Sequence, residues 1–125
     1  MKNTLPVITQ DYSKLVGISY FSLNCWELSR EFYKLVFGVE LKHYYMDRPK
    51  DRKEYQDIIY TNKGDFTQVE DPEFGDLILL RIKGLESHIA VYVGDGKLLH
   101  TTRNTGSVVD HVSKWKQLIA GYYRL

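Results

Sequence analysis

One thiol and four imidazoles are the side chains in this sequence best suited to covalent and acid–base chemistry. Cys25 is the only cysteine among 125 residues. The chain therefore cannot form an internal disulfide or a multi-thiolate zinc or iron–sulfur site. Three interpretations of Cys25 remain: a buried apolar filler, a free reactive thiol or a nucleophile. The histidines stand at positions 43, 88, 100 and 111, and an imidazole can act as general base to a thiol nucleophile.

Cys25 begins a predicted amphipathic helix over residues 24–39. Apolar residues recur there at spacings of three and four, with charged residues on the opposite side. Asn24 is a favourable N-cap residue, and Glu27 completes a capping-box pattern. The free N–H groups of the first helical turn favour a thiolate and could hold an oxyanion, which predicts a lowered thiol pKa. Cys25 also lies on the apolar stripe, and that position by itself favours a buried structural cysteine.

A predicted β-hairpin decides whether two of the histidines can meet. If residues 94–96 form a three-residue loop, Ala90 lies opposite His100, and His88 falls on the same face as both. One imidazole could then act as base to Cys25 while the other orients it. The small Ala90 would let the helix approach closely. A two-residue turn would instead put the histidines on opposite faces. His43 and His111 are expected to be structural or surface groups.

The remaining elements predict a single α+β domain over residues 1–125. Residues 1–10 are expected to be extended or loosely ordered, with a short helix or turn before residue 20. Residues 42–75 are charged and rich in turn residues, with a short helix predicted over 52–60. About five short β-rich runs follow residue 75 and predict an antiparallel meander, in which the run after Asp76 is a central strand. Asp76 itself is expected to serve a turn.

Composition excludes several classes of function. Lys and Arg number 17 against 16 Asp and Glu, a net charge of +1, so no charge surplus indicates a nucleic-acid partner. The first ten residues do not form a signal peptide, and no window is apolar enough for membrane insertion.

Several motifs resemble the NlpC/P60 family of papain-like cysteine peptidases. That family combines a glycine and tyrosine before a cysteine at a helix start, a Gly-Asp-Leu strand start, a histidine strand ending in Gly-[DN]-Gly, and a second histidine twelve residues after the first. The matching segments are Gly17–Tyr20, Asn24–Cys25, Gly75–Leu80, His88–Gly96 and His100. The resemblance spans about residues 15–124, and HIAVYVGDGKLLH is its most specific part. It implies a papain-like fold, with the cysteine helix packed on the strands.

The resemblance implies Cys25 as nucleophile, His88 as general base and acid, and His100 as the polar residue that orients His88. It implies an oxyanion held by Tyr20 and the Cys25 N–H, and further oxyanion or substrate contacts from Asn24, Trp26 and Ser87. The implied substrate is the stem peptide of peptidoglycan, cut at the γ-D-glutamyl to diamino-acid bond. No metal or organic cofactor is implied.

The sequence departs from the family pattern around the cysteine. Ser19 replaces a proline, residues 21–23 form a shortened loop, and Trp26 and Glu27 replace a small Ser-Gly pair. These departures predict a groove that is narrower or differently shaped than in cell-wall hydrolases.

The helix sequence and the closing GYYR look most like the subgroup found in tail-tip assembly proteins of long-tailed phages. This likeness implies a virion tail or the cytoplasm of the producing cell as location, with other tail proteins as possible partners. Two alternatives stay open: a non-catalytic tail component, which an exposed aromatic patch of Tyr44, Tyr45, Tyr122 and Tyr123 would favour, and an amidase acting on a non-wall substrate.

Overall fold

The structure is a computed structural model that describes residues 5–42, 66–82 and 84–125, with the side chains of residues 85–87 excepted. The predicted helix over 52–60 lies outside the described residues. So do His43, Tyr44 and Tyr45.

Within the described residues, a helix precedes a six-stranded antiparallel sheet. A 3₁₀ turn at Ser13–Leu15 comes first, followed by helix α1. The elements after the 3₁₀ turn are α1 (Cys25–Phe37), β1 (Thr67–Val69), β2 (Leu77–Ile82), β3 (Leu85–Gly94), β4 (Lys97–Thr102), β5 (Gly106–His111), a short helix α2 (Val112–Trp115), a 3₁₀ turn (Lys116–Leu118) and β6 (Ile119–Arg124). The strand order is β1-β6-β2-β3-β4-β5. The α+β prediction is confirmed, with one departure: β6 leaves the meander and pairs with β2 and β1 instead of β5.

Helix α1 begins and ends where the sequence predicts. The Asn24 side chain accepts the Glu27 N–H at 3.0 Å, and the Glu27 carboxylate accepts the Asn24 N–H at 3.2 Å. This capping box satisfies two donors that the first turn would otherwise leave free. Gly38 ends the helix with a φ of 67°, a left-handed conformation that glycine adopts without strain.

The sheet is buried on both faces near its centre. Helix α1 packs on the first face, against alternate residues that include Leu79, Ile89 and Val91. The second face holds Ile78, Leu80, Ala90 and Leu98, partly covered by side chains from α2 and β6 such as Trp115 and Tyr122. Residues Leu77–Leu80 are all buried, which confirms β2 as a central strand. Ala90 faces away from α1, so the prediction that it lets the helix approach is wrong.

The β3–β4 turn differs from its prediction but gives the predicted register. Gly94 pairs with Lys97, and Asp95 and Gly96 have φ values of 52° and 69°, as a two-residue turn of the hairpin type requires. Tyr92 pairs with Leu98 and Val91 with Leu99, so Val93 is an extra, bulged residue on β3. A three-residue loop is therefore wrong. The bulge cancels the one-residue shift that a two-residue turn introduces, and both histidines therefore lie on one face.

Asp76 does more than close a turn. It accepts the Glu73 N–H at 2.7 Å, in line with the turn prediction, and it also forms two hydrogen bonds with the Arg124 guanidinium, at 3.0 and 2.7 Å. Both side chains are buried. The pair fastens the start of β2 to the end of β6, a contact that the sequence analysis did not predict because the two residues are far apart in the chain.

Candidate active site

The sulfur of Cys25 lies where strands β3 and β4 stop pairing. The Tyr92 N–H donates to the Asp76 carbonyl, and the Tyr92 carbonyl accepts from the Gly75 N–H, both at 2.8 Å. The N–H and C=O groups of Tyr92 thus point toward β2, as do those of every second residue of β3. Ile89 belongs to the other set, whose N–H and C=O groups point toward β4. Pairing with β4 ends at Val91. Beyond that point the Ile89 N–H is hydrogen-bonded to the Cys25 thiol.

Cys25 is the first residue of α1 and is only 2% exposed. Burial raises the pKa of its thiol to about 11, although hydrogen bonds with the N–H groups of Ile89, Trp26 and Cys25 itself lower it. The sequence predicted that the helix N-terminus would lower this pKa. The N–H groups act in that direction, but desolvation of a thiolate inside an apolar cluster outweighs them.

His88 and His100 meet across the gap between the two strands. His88 Nε2 lies 3.0 Å from His100 Nδ1, and the rings cross at 74° with centroids 5.3 Å apart. His88 is half-buried, whereas His100 is 1% exposed. The same-face prediction for the two imidazoles is thus confirmed. His88 immediately precedes Ile89 in the chain. The peptide bond between the two residues therefore supplies the N–H that contacts the Cys25 sulfur.

Asp110 extends this pair to a third group. Its Oδ2 lies 2.8 Å from His100 Nε2 and accepts the Trp115 indole N–H at 3.1 Å. Lys114 Nζ lies 3.7 Å from the same oxygen. The Trp115 ring packs edge-on against His100, with centroids 4.8 Å apart at 75°. His88, His100 and Asp110 therefore form one hydrogen-bonded chain, with a tryptophan against its middle member.

The pKa directions in this chain indicate a neutral imidazole beside a carboxylate. Burial lowers the pKa of His100 and outweighs the opposing hydrogen bond to Asp110. For Asp110, burial raises the pKa, but hydrogen bonds from His100 and Trp115 outweigh that effect and hold it below its ordinary value. At neutral pH this arrangement holds an uncharged His100 against an ionised Asp110.

Asp110 and Trp115 are not among the site residues predicted from the sequence. The signal for Asp110 was present, because the turn at 103–105 pairs His100 with Val108 and Leu98 with Asp110. Residues two apart on a strand share a face, so Asp110 is a diagonal neighbour of His100. The register of the β4–β5 hairpin therefore predicts that Asp110 lies beside His100. Trp115 follows on α2, and its place could not be read from strand register.

Tyr20 and Asn24 precede α1 in the chain. Tyr20 is half-buried, and its ring lies under the Arg103 guanidinium, with Cζ 5.7 Å from the ring centroid. The Phe21 ring meets it edge-on at 5.8 Å. Asn24 is buried, and its side-chain oxygen caps the helix. This cap stabilises the first turn of α1, in which Cys25 lies.

Trp26 belongs to the core. It is 5% exposed, its indole N–H donates to the Lys42 carbonyl at 3.1 Å, and its ring meets Phe66 edge-on at 6.5 Å. The side chain thus fastens α1 to Lys42 and Phe66 in this structure, and the substrate contact implied for Trp26 stays a prediction. Ser87 lies in β3, and its side chain is outside the described part of the structure.

Tyr122 and Tyr123 do not form one patch. Both are half-buried in β6, with Tyr123 packed on the α1 face and Tyr122 on the opposite face, since neighbouring strand residues point to opposite sides. The described half of the predicted aromatic patch is thus divided between two faces.

Within the described ranges, no group of three or more histidine, cysteine, aspartate or glutamate side chains is arranged to hold a metal ion. No helix in that part of the chain combines the length and the apolar character needed to cross a membrane.

Comparisons with known proteins agree with this fold. The sequence profile of the NlpC/P60 family matches residues 11–124. A crystal structure of an NlpC/P60 family protein from Bacillus cereus is similar in fold, with a TM-score of 0.64 and 20% sequence identity over 96% of this chain. The chain spans 41% of that protein's length. No match is found among curated proteins. The family consists in general of cysteine peptidases and amidases that act on peptidoglycan peptides. Since the profile covers nearly all of the sequence, the chain belongs to the NlpC/P60 family.

Proposed function

We propose that this protein hydrolyses peptidoglycan stem peptides through a thioester on Cys25, with His88 as general base and acid and His100 as its orienting partner. One observation carries the proposal. The His88–His100 pair stands on the strand whose next backbone N–H, that of Ile89, is hydrogen-bonded to the Cys25 sulfur. Nucleophile, base and orienter are thus held by three adjoining elements, α1, β3 and β4, as thiol-dependent acyl transfer requires.

The reaction would begin with transfer of the Cys25 proton to His88 while the sulfur attacks the substrate carbonyl carbon. The resulting oxyanion would be held by the Cys25 N–H at the helix start and by Tyr20, as the family resemblance implies. The His88 imidazolium then gives its proton to the departing amine as the C–N bond breaks, which leaves a thioester. A water that loses a proton to His88 attacks the thioester, and the proton returns to sulfur as the carboxylic acid leaves.

Burial of Cys25 determines how the first step would proceed. A thiol whose pKa is raised to about 11 rests in the protonated form, so His88 would remove the proton during attack instead of holding a permanent thiolate–imidazolium pair. A thiol that is 2% exposed also requires substrate binding to uncover the sulfur. The proposal therefore includes an opening step before acylation.

We further propose that the bond cut is the γ-D-glutamyl to diamino-acid bond and that the protein acts in a phage tail. Family membership supports a peptidoglycan peptide as substrate. The family resemblance supports the bond, and the likeness of the α1 sequence CWELSREFY to the tail-tip subgroup supports the phage tail.

The test is a digestion of purified peptidoglycan and of synthetic stem peptides, with products identified by mass spectrometry. We expect the wild type to release peptides with a new amino terminus at the diamino acid. Cys25→Ala and His88→Gln should abolish this release. His111→Gln is the matched control, because His111 is an exposed histidine at the end of β5, outside the hydrogen-bonded chain. Equal product from the wild type and Cys25→Ala would refute the proposal.

A non-catalytic tail component is the second candidate, favoured by the burial of Cys25 in the apolar cluster beneath α1. In that case neither the wild type nor Cys25→Ala would release any peptide, and Cys25→Ala would change stability alone. An amidase acting on another substrate is distinguished by a peptide-like thiol-reactive probe. Such a probe would label Cys25 in a His88-dependent way even when stem peptides are not cut.

A further inference from the structure

We infer that Asp110 is a positioning residue that sets the tautomers of His100 and His88, so that Nδ1 of His88 carries the lone pair that accepts the Cys25 proton. This inference rests on the proposed function for its catalytic meaning. The tautomer assignment itself rests on the hydrogen-bonded chain alone. It would add a fourth member to the set of residues that prepare the thiol.

The assignment follows from counting donors along the chain. An ionised carboxylate has no proton to give, so the 2.8 Å contact between Asp110 Oδ2 and His100 Nε2 requires that His100 Nε2 carry the hydrogen. A neutral His100 then has a bare Nδ1, which can only accept. The 3.0 Å contact with His88 Nε2 therefore requires the hydrogen to lie on that nitrogen. The remaining nitrogen of a neutral His88, Nδ1, is left with its lone pair.

The surroundings of Asp110 favour its ionised form. Trp115 donates its indole N–H to the same Oδ2, and the Lys114 ammonium lies 3.7 Å away. An indole N–H can only donate, so it is satisfied only by an acceptor. The titratable and charged groups that face His100 from its described neighbours are Asp110 from β5, Lys114 from α2 and His88 from β3. The lowered pKa of Asp110 agrees with this direction.

This arrangement also favours the charge that forms during attack. When Nδ1 of His88 takes the thiol proton, the imidazolium still donates through Nε2 to His100, whose own donor points at the Asp110 carboxylate. The carboxylate thus stabilises positive charge on the two rings without touching either sulfur or substrate. Asp110→Asn removes that charge. Its amide NH₂ can also donate to His100 Nε2, which would reverse the tautomer order and place a hydrogen on the basic nitrogen of His88.

The first test is nitrogen-15 NMR of the histidine rings in the intact wild-type protein at pH 7.5, which reports tautomers whether or not the protein is active. We expect hydrogen on Nε2 of both His88 and His100. A hydrogen on Nδ1 of His100 would overturn the inference.

The second test compares Asp110→Asn with Asp95→Asn, which removes one carboxylate from the exposed β3–β4 turn. Asn tolerates the left-handed conformation of that turn position. For Asp110→Asn we expect kcat to fall at least about 10-fold, with the full contribution of the base, roughly 10⁴-fold, as the upper limit. The acidic limb of the kcat/KM profile should move to lower pH, because loss of the carboxylate makes the imidazolium of the coupled pair easier to deprotonate. Asp95→Asn should match the wild type.

Trp115→Phe is the companion variant in case Asp110→Asn does not fold. It keeps a ring against His100 but removes the indole N–H, and it should shift the acidic limb in the same direction by a smaller amount. Wild-type activity with an unchanged limb in either folded variant would overturn the role of Asp110 while leaving the proposed function intact. Predicted tautomers without any hydrolysis by the wild type would support the assignment and overturn the proposed function instead.

Discussion

Alkylation of Cys25 should be far slower in the native protein than in the unfolded chain. The pKa of this thiol is raised from an ordinary value of 9.0 to about 11, and only the thiolate reacts. At neutral pH the thiolate population therefore falls about 100-fold on folding, since each pKa unit is a factor of ten. The 2% exposure of Cys25 hinders approach of the reagent and adds to this factor.

The assay measures the rate of iodoacetamide addition by intact-protein mass at pH 7.5, with and without denaturing urea. Because Cys25 is the only cysteine, every adduct reports on it, and Cys25→Ala supplies the blank. The native rate should also rise about tenfold per pH unit up to the region of pH 11. A native rate within tenfold of the unfolded rate, or a plateau below pH 8, would rule out a raised pKa for the Cys25 thiol. It would show a resting thiolate–imidazolium pair instead of a buried thiol.

Three further predictions concern stability. Asp76→Ala should lower the free energy of unfolding by about 3 kcal/mol in urea denaturation, because it leaves the buried Arg124 guanidinium without its two-bond partner; a loss below 1 kcal/mol would contradict this. Asn24→Ala should cost about 1 kcal/mol in the same assay and Asn24→Ser much less, since serine also caps helices; equal losses would argue against the cap. Burial in the folded protein lowers the pKa of His100 below its ordinary value of 6.5. The imidazole of the unfolded chain therefore binds a proton at a higher pH than that of the folded protein. The free energy of unfolding should be fully maintained above pH 6.5 and fall as pH drops toward the folded pKa. His100→Gln should flatten that part of the curve.

The elements that position the site could be predicted from local sequence signals. The capping box at Asn24 and Glu27 and the apolar stripe of α1 depend on residues three or four apart, and both determine where Cys25 lies. The pairing of His88 with His100 could also be predicted, because a hairpin register is set by a nearby turn. The details of that turn were wrong, since a bulge at Val93 is not distinguishable in sequence from a one-residue longer loop.

The properties that depend on distant packing could not be predicted. The thiol pKa reflects competition between helix N–H groups, visible in the sequence, and burial among residues from other parts of the chain. The packing of the Trp26 side chain against Phe66 could not be predicted, because the two residues are forty positions apart. The Asp76–Arg124 pair and the path of β6 to the far side of β2 likewise join segments that no local pattern connects.

If Cys25 carries an acyl intermediate, added hydroxylamine should intercept it. A thioester reacts both with water and with an added nucleophile. A stem peptide incubated with wild-type protein and hydroxylamine should therefore yield the hydroxamate of its acyl portion, detected by mass spectrometry. The hydroxamate should be missing with Cys25→Ala and present with His111→Gln. Cleavage that persists in Cys25→Ala, or wild-type cleavage that yields the free acid alone at high hydroxylamine concentration, would show that no thioester forms on Cys25.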